Sequence, residues 1–223
     1  MPDMKARRLN IAIKSLGTIA YSTALELQLE LHKRVVEGKD SGYLLFCEHP
    51  TVITLGRRGG MQCIKATTAE LFKRGIKVVS TDRGGLATLH TLGQAVIYPI
   101  LPLAKLGEKG VGSQTFVHLI ETAIINWLAT RNVAAETDNK YPGVWVQNQK
   151  IAAVGLRIAK GVSYHGAAVN INPDLSLFDL IHPCGITDRS VASLEKLIGD
   201  APTMKEVVAE LGEAFIETLE AGE

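Results

Sequence analysis

The sequence predicts a mixed α+β fold: one domain, residues 1–223, whose largely antiparallel sheet is flanked by helices. Three observations carry this. Lys150 to Asn172 reads as a β-hairpin, two arms rich in β-branched and small residues (KIAAVGLRI and SYHGAAVNI) joined by a turn at Lys160-Gly161. Further strand-length apolar runs are broken by Pro50 and by glycine pairs. Tyr21–Val36 and Gln114–Thr130, by contrast, repeat their apolar residues with helical spacing. The chain is long enough for one sizeable core, and residues 193–223 are expected to join it or to form a small appended helical lobe.

Leu9–Leu16 is expected to be a strand, with Ile11 and Ile13 alternating against Lys14. In the Tyr21–Val36 helix, Thr23 and Glu26 have the spacing of a capping box, and Leu25, Leu29, Leu31 and Val35 form the predicted buried face. Tyr43–Glu48 and Thr51–Leu55 follow as strands, then a short helix over Ala69–Arg74 closed by Gly75. Leu86–Thr91 and Ala95–Leu101 are two more strands. The Gln114–Thr130 helix turns Phe116, Leu119, Ile120, Ala123, Ile124 and Leu128 inward. Val144–Val146 precedes the hairpin as a strand, and a Thr203–Glu206 capping box opens a terminal helix carrying Val207, Val208, Leu211 and Phe215.

A formal net charge of +1 gives no global case for nucleic acid or a membrane surface. Three irregularly spaced cysteines, Cys47, Cys63 and Cys184, make no disulfide framework, so a reducing, cytoplasmic setting is expected. No stretch approaches the length of a membrane span. Lys14 interrupts the first apolar run, so no signal peptide is expected.

Lys150 lies at the open end of the hairpin, opposite roughly Asn172, and the chain leaves toward Cys184 from that end. A loop of about a dozen residues, each spanning at most ~3.6 Å, folds back easily over that distance. An ammonium beside a thiol favours the reactive thiolate. Cys184 alone reads either as that nucleophile or as a small core hydrophobe; its place between Pro183 and Gly185 suits a turn. His182 is a weaker candidate base, since Pro183 makes it hard for neighbours two apart to touch. The stretch Arg83 to His90 has two glycines that let a backbone approach a ligand, and an extended Leu86–His90 would put Thr88 and His90 on one face. Taken alone it reads first as a glycine turn opening a strand, with Arg83 solvated. The run Gly107 to Ser113 lacks the Gly-Lys-Ser/Thr ending of a phosphate loop. The six histidines show no HExxH and the cysteines no Cys-x-x-Cys, so no metal site is expected.

With these residues in view, the chain resembles the lipoyl(octanoyl) transferases, octanoyl-[acyl-carrier-protein]–protein N-octanoyltransferases, over most of its length. The resemblance rests on Glu48-His49-Pro50 with Thr54-Leu55-Gly56, Arg83-Gly84-Gly85 with Thr88 and His90, Gly93-Gln94, and Tyr98-Pro99. It continues through Gly143–Val146, Lys150–Gly155, His165-Gly166, Asn170-Ile171, Asp179–Ile181 and Pro183-Cys184-Gly185. The resemblance implies a fold related to biotin and lipoate protein ligases. It also implies octanoyl transfer from acyl carrier protein to lipoyl domains of 2-oxoacid dehydrogenase complexes and to glycine cleavage H protein, with no cofactor. Carried over by position, Cys184 is the acyl-thioester nucleophile and Lys150 lowers its pKa. Arg83, Gly84, Gly85, Leu86, Ala87, Thr88, Leu89, His90, Ala153, Val154, Gly155, Gly166, Ala167 and Ala168 would line the acyl site. Where the family usually has His-Gly-Pro-Gly-Gln, this chain reads His90-Thr91-Leu92-Gly93-Gln94, so a different loop beside His90 is expected. The basic residues Arg57, Arg58, Lys65, Lys73, Arg74 and Lys77 are either a docking patch for an acidic carrier protein or ordinary solvated faces. A monomer is expected. An ATP-dependent lipoate or biotin ligase and a non-catalytic acyl- or lipoyl-domain-binding protein are the alternatives.

Overall fold

The computed structural model describes residues 10–138, 140–182 and 190–221, so Cys184 lies outside the described residues. A seven-stranded sheet forms the centre. Its strands are β1 (Ala12–Thr18), β2 (Tyr43–Glu48), β6 (Gln94–Ile100), β7 (Glu136–Thr137), β8 (Gly143–Val146), β9 (Gln149–Ala159) and β10 (Val162–Asn170). They run in the order β1-β2-β6-β10-β9-β8-β7, antiparallel except for the β1–β2 pair. A second sheet holds β3 (Val52–Leu55) between β4 (Lys77–Ser80) and β5 (Ala87–His90). This is the α+β, mainly antiparallel architecture that the sequence predicts.

Helices cover both faces of the large sheet. On one, α3 (Ser113–Ala129) and α5 (Met204–Ala221) pack Phe116, Trp127 and Phe215 against Phe46, Ile97 and Ala152. On the other, α1 (Tyr21–Val36) packs Ala24 and Leu31 against Leu45, Val96 and Ala168. The small sheet encloses its own core of Ile53, Leu71, Leu89 and Phe178 with α2 (Thr68–Lys73). Val207, Leu211, Phe215 and Leu219 of α5 belong to the main core, so residues 193–221 share the core of the rest.

The Thr203–Glu206 box opens α5 as predicted, with the Thr203 N–H donating to Glu206 at 2.7 Å and the Glu206 N–H to Thr203 Oγ1 at 3.3 Å. The Thr23–Glu26 box is not a cap: α1 starts after Ala20 without a side-chain cap, and both residues lie inside the helix. The buried stripe of α1 also differs from the apolar reading. It comprises Tyr21, Ala24, Gln28, Leu31, His32 and Val35, while Leu29 is 47 % exposed. Two polar residues occupy this stripe because the hairpin gives them partners: Gln28 Oε1 accepts the His165 N–H at 2.9 Å, and His32 Nε2 meets Ala159 O at 3.1 Å. A second capping box, Thr67–Glu70 on α2, and the short helix α4 (Leu194–Ile198) are further elements not foreseen.

The hairpin turns at Lys160 and Gly161, both left-handed, and pairs Val169 with Ala152. Its ladders carry two irregularities. Val144 faces Ala152 but Trp145 faces Lys150, so Ile151 is an extra residue bulged out of β9. On the other arm, the register places His165 opposite Pro99, which has no N–H to give. His165 takes a left-handed φ of 55°, and pairing resumes with the Ser163 N–H donating to Leu101 O at 3.0 Å. Gly166 follows under tight constraint, since a Cβ there would lie 1.9 Å from Ile97 O. Gly166→Ala should therefore cost about 1–3 kcal/mol or more of stability through overpacking, read as a lower denaturation midpoint; a midpoint equal to wild type would contradict this packing.

Candidate functional site

Side chains alternate along a strand, so without the bulge Ile151 would share the Ala153–Gly155 face and Lys150 would enter the core. With it, Ile151 and Ala152 both enter the core and Lys150 joins Ala153 and Gly155 on the rim of a cavity. The lysine is only 7 % exposed. Its Nζ donates to Pro142 O at 3.0 Å and stands 4.7 Å from the centre of the Trp145 ring. Its backbone is held by the chain that follows Cys184: the Lys150 N–H donates to Ser190 O, and the Ala192 N–H to Lys150 O, each at 3.0 Å. Before Cys184, the His182 N–H donates to Cys63 O at 2.7 Å, and Ile181 bridges Ile64. His182 is thus tied down by its backbone.

The cavity holds about 520 Å³ of atom-free space, part of it open to solvent. Small residues form its floor, Ala153 and Gly155 of β9 beside Gly166, Ala167 and Ala168 of β10, with Val154 at the edge. Arg83, Gly85, Leu86, Ala87, Thr88 and His90 line the opposite side. Two expected lining residues fall elsewhere. Gly84 borders the outer groove, and Leu89, fully buried, points into the core of the small sheet as β alternation requires.

Arg83 is not solvated. It is 7 % exposed and donates to Thr54 O at 2.6 Å, Gly84 O at 2.9 Å and Leu86 O at 2.9 Å. These bonds fold the Arg83–Leu86 loop onto β3, while the Gly84 N–H donates to Leu156 O at 2.8 Å and fastens it to β9. Glycines permit the approach: a Cβ on Gly155 would lie 3.0 Å from Gly84 O, and one on Gly56 2.6 Å from Gly85 O. The Thr91–Gly93 turn has its own ties. The Thr91 N–H donates to Gln94 Oε1 at 3.1 Å and the Gly93 N–H to Glu48 Oε1 at 2.8 Å, with Gly93 at a φ of 83°.

A polar aromatic wall completes the cavity, formed by Tyr21, Tyr98, His90 and His165. Tyr21 stacks on His90 at 5.9 Å, and His49 Nε2 lies 2.7 Å from Tyr98 Oη. Asp82 meets His165 Nε2 at 2.8 Å and accepts from Tyr164 Oη. Burial pushes Tyr21 up to about 12 and Tyr98 well up, so both stay protonated. It also holds His49 and His90 below the usual histidine range. In His165 burial outweighs the opposing pull of Asp82. Burial raises the Cys47 thiol to about 12, which leaves it an inert core group. Tyr21, Tyr98, His165 and Pro142 escaped the sequence reading of the cavity; the His165-Gly166 and Tyr98-Pro99 pairs were the available signals.

Outside Lys150 the cavity opens into a groove bordered by Arg57, Arg58, Lys140 and Arg157, with Glu121 and Asp138 opposing them. Lys65, Lys73, Arg74 and Lys77 are exposed around α2 and β4. No helix among the described residues is long and apolar enough to cross a membrane.

This combination of sheet, glycine loop and buried lysine is that of a protein-modifying ligase or transferase domain. Residues 20–216 match the family model of the lipoyl protein ligase A/B catalytic domain. An octanoyltransferase of Chloroflexus aurantiacus is 43 % identical over 212 residues, spanning 92 % of this chain and 94 % of the relative. Two solved structures share the fold. LipL1 of P. falciparum in complex with lipoate has a TM-score of 0.73 at 15 % identity, covering 96 % of this chain and 63 % of that one. A putative lipoate protein ligase of T. acidophilum with bound lipoic acid has a TM-score of 0.70 at 18 % identity, covering 94 % and 86 %. The chain belongs to the lipoyl(octanoyl) transferase family within this ligase-like class, and it is an acyltransferase.

The buried imidazoles make a pH prediction. His49, His90 and His165 bind protons less readily folded than unfolded, so stability rises with pH across that window and falls on acidification. Resistance to denaturant should fall progressively below the ordinary histidine value of ~6.5, each neutral histidine costing up to about 1.4 kcal/mol per pH unit. A flat profile there would contradict the neutral, buried state.

Proposed function

We propose that this chain moves an octanoyl group from acyl carrier protein to a lysine of a lipoyl domain, through a thioester on Cys184. The observation that carries the reading is Lys150, its backbone held by Ser190 and Ala192 and its ammonium by Pro142 O at the rim of a cavity floored by small residues. Among the described residues, His182 is fixed to Cys63, and Ser190 and Ala192 are fixed to Lys150, by backbone hydrogen bonds. The octanoyltransferase name carried by relatives of near full-length coverage supports the same choice of acyl group.

In the first half-reaction the Cys184 thiolate attacks the octanoyl thioester. The tetrahedral oxyanion collapses, the carrier thiolate leaves and takes a proton, and the octanoyl group stays on sulfur. One thioester replaces another, so the step is near neutral and needs no nucleotide. In the second, a lipoyl-domain lysine, as free amine, attacks the acyl-enzyme. The amide forms, its proton is lost, and the Cys184 thiolate is released. In this reading Lys150 favours that thiolate and hands on the proton. Each oxyanion needs fixed donors, worth ~2.7–4 kcal/mol apiece; of the amides beside Gly84-Gly85, that of Gly84 is committed to Leu156 O, which leaves those after it, or one at Cys184, as candidates. Apolar burial at ~0.8 kcal/mol per methylene holds the chain on the small-residue floor. Arg57 and Arg58 at the groove suit an acidic carrier. Action in the cytoplasm as a monomer, without a cofactor, completes the proposal.

Intact-mass analysis after mixing with octanoyl carrier protein tests it. Wild type should gain one octanoyl group without ATP, and Cys184→Ala none. A Cys184→Ser protein that turns over normally with ATP would instead identify a ligase, and the absence of any adduct on wild type a binding protein. Lys150→Ala should move the alkylation–pH profile of Cys184 to higher pH; an unmoved profile would remove Lys150 from this role.

A further inference from the structure

Glu121 is a carboxylate with no part in the acyl transfer described above. It sits on the buried side of α3, only 6 % exposed, in a stripe otherwise made of Phe116, Ile120, Ala123, Ile124, Trp127 and Leu128. Burying a charge there is costly unless something is gained. Its Oε1 accepts the Gly143 N–H at 2.7 Å. One residue earlier, the Pro142 carbonyl accepts Lys150 Nζ at 3.0 Å. Gly143 is itself crowded. Its φ is 130°, and a Cβ there would lie 2.4 Å from Ala152 O and 3.3 Å from Lys150 Cε. The Pro142–Gly143 peptide is therefore pinned between the helix and the bulged strand.

We infer that Glu121 is a positioning residue for Lys150: by holding Gly143 it aims the Pro142 carbonyl at the ammonium and fixes that charge at the cavity rim. Glu121 acts through the 142–143 peptide and on the local field, without touching the reacting atoms. Burial raises its own pKa, against the Gly143 bond and the nearby His118 and Lys150 charges, so the carboxylate state depends on those partners. The other charged or titratable groups bordering the same groove are Arg57, Arg58, Asp138, Lys140, Tyr141 and Arg157. The catalytic consequence rests on the acyl-transfer reading above; the structural one does not.

The test uses the full chain with 13Cε-labelled lysine, the Lys150 signal being identified by its loss in Lys150→Arg. Glu121→Ala should shift the pH titration of that signal and lower kcat for octanoyl transfer by about tenfold or more, with KM little changed. Glu121→Gln keeps an acceptor for the Gly143 N–H and should restore kcat to within about threefold of wild type. An unmoved Lys150 titration in Glu121→Ala overturns the inference, whether the rate falls with thermal stability or stays at wild type. Failure of wild type to transfer octanoyl would instead defeat the acyl-transfer reading, and the Lys150 titration would still decide the role of Glu121.

Discussion

The site depends on one added residue in a strand. Because Ile151 is bulged out, two successive side chains of β9 enter the core and Lys150 is turned outward to the cavity. A long flexible side chain would otherwise sweep a large volume and lose considerable entropy on being fixed. Here the ordering is shared among structural contacts. Ser190 and Ala192 pair with the Lys150 backbone, Pro142 O receives the ammonium, and Trp145 lies beneath it. The same pairing fixes the chain at Ser190 and Ala192, so the placement of Lys150 and the course of the chain from residue 190 are set together.

The opposite wall follows a similar logic with a different charge. Arg83 belongs to a loop that resembles a ligand-gripping motif, yet its guanidinium is spent on the carbonyls of Thr54, Gly84 and Leu86. A buried guanidinium must find such acceptors, and in finding them it sets the loop over β9. Glycines at 56 and 155 are needed because two backbones meet there, with a Cβ falling 2.6 and 3.0 Å from a carbonyl oxygen, and Gly85 takes a left-handed φ of 88°. The acyl cavity is the space left between that loop and a floor of alanines and glycines.

How much of this could be read in advance follows from how local each signal is. The hairpin turn, α1 within its stated bounds, the long helix before the lipophilic cavity and the Thr203–Glu206 cap depend on neighbours in sequence, and all were legible. Gln28 and His32 lie outside the apolar face expected for α1, and their burial has no local signal because their partners lie on a hairpin more than a hundred residues later. The solvated reading of Arg83 failed for the same reason, its acceptors lying partly on β3, whereas the family resemblance had placed it at the cavity it lines. Alternation along Leu86–His90 was stated correctly for Thr88 and His90, and it also predicts the core position of Leu89, which the family motif had assigned to the cavity. The Ile151 bulge has no composition cue in KIAAVGLRI. Nothing in the residues distinguishes a lysine at a strand edge from one turned inward.

The central claim is that the Cys184 sulfur and the Lys150 amine share the cavity rim. A bifunctional reagent spanning only a few ångströms, reactive first to thiol and then to amine, measures this directly by peptide mapping. The account predicts a cross-link joining Cys184 to Lys150 in preference to every other lysine. Linkage of Cys184 to other lysines with none to Lys150, in a folded protein, would contradict it.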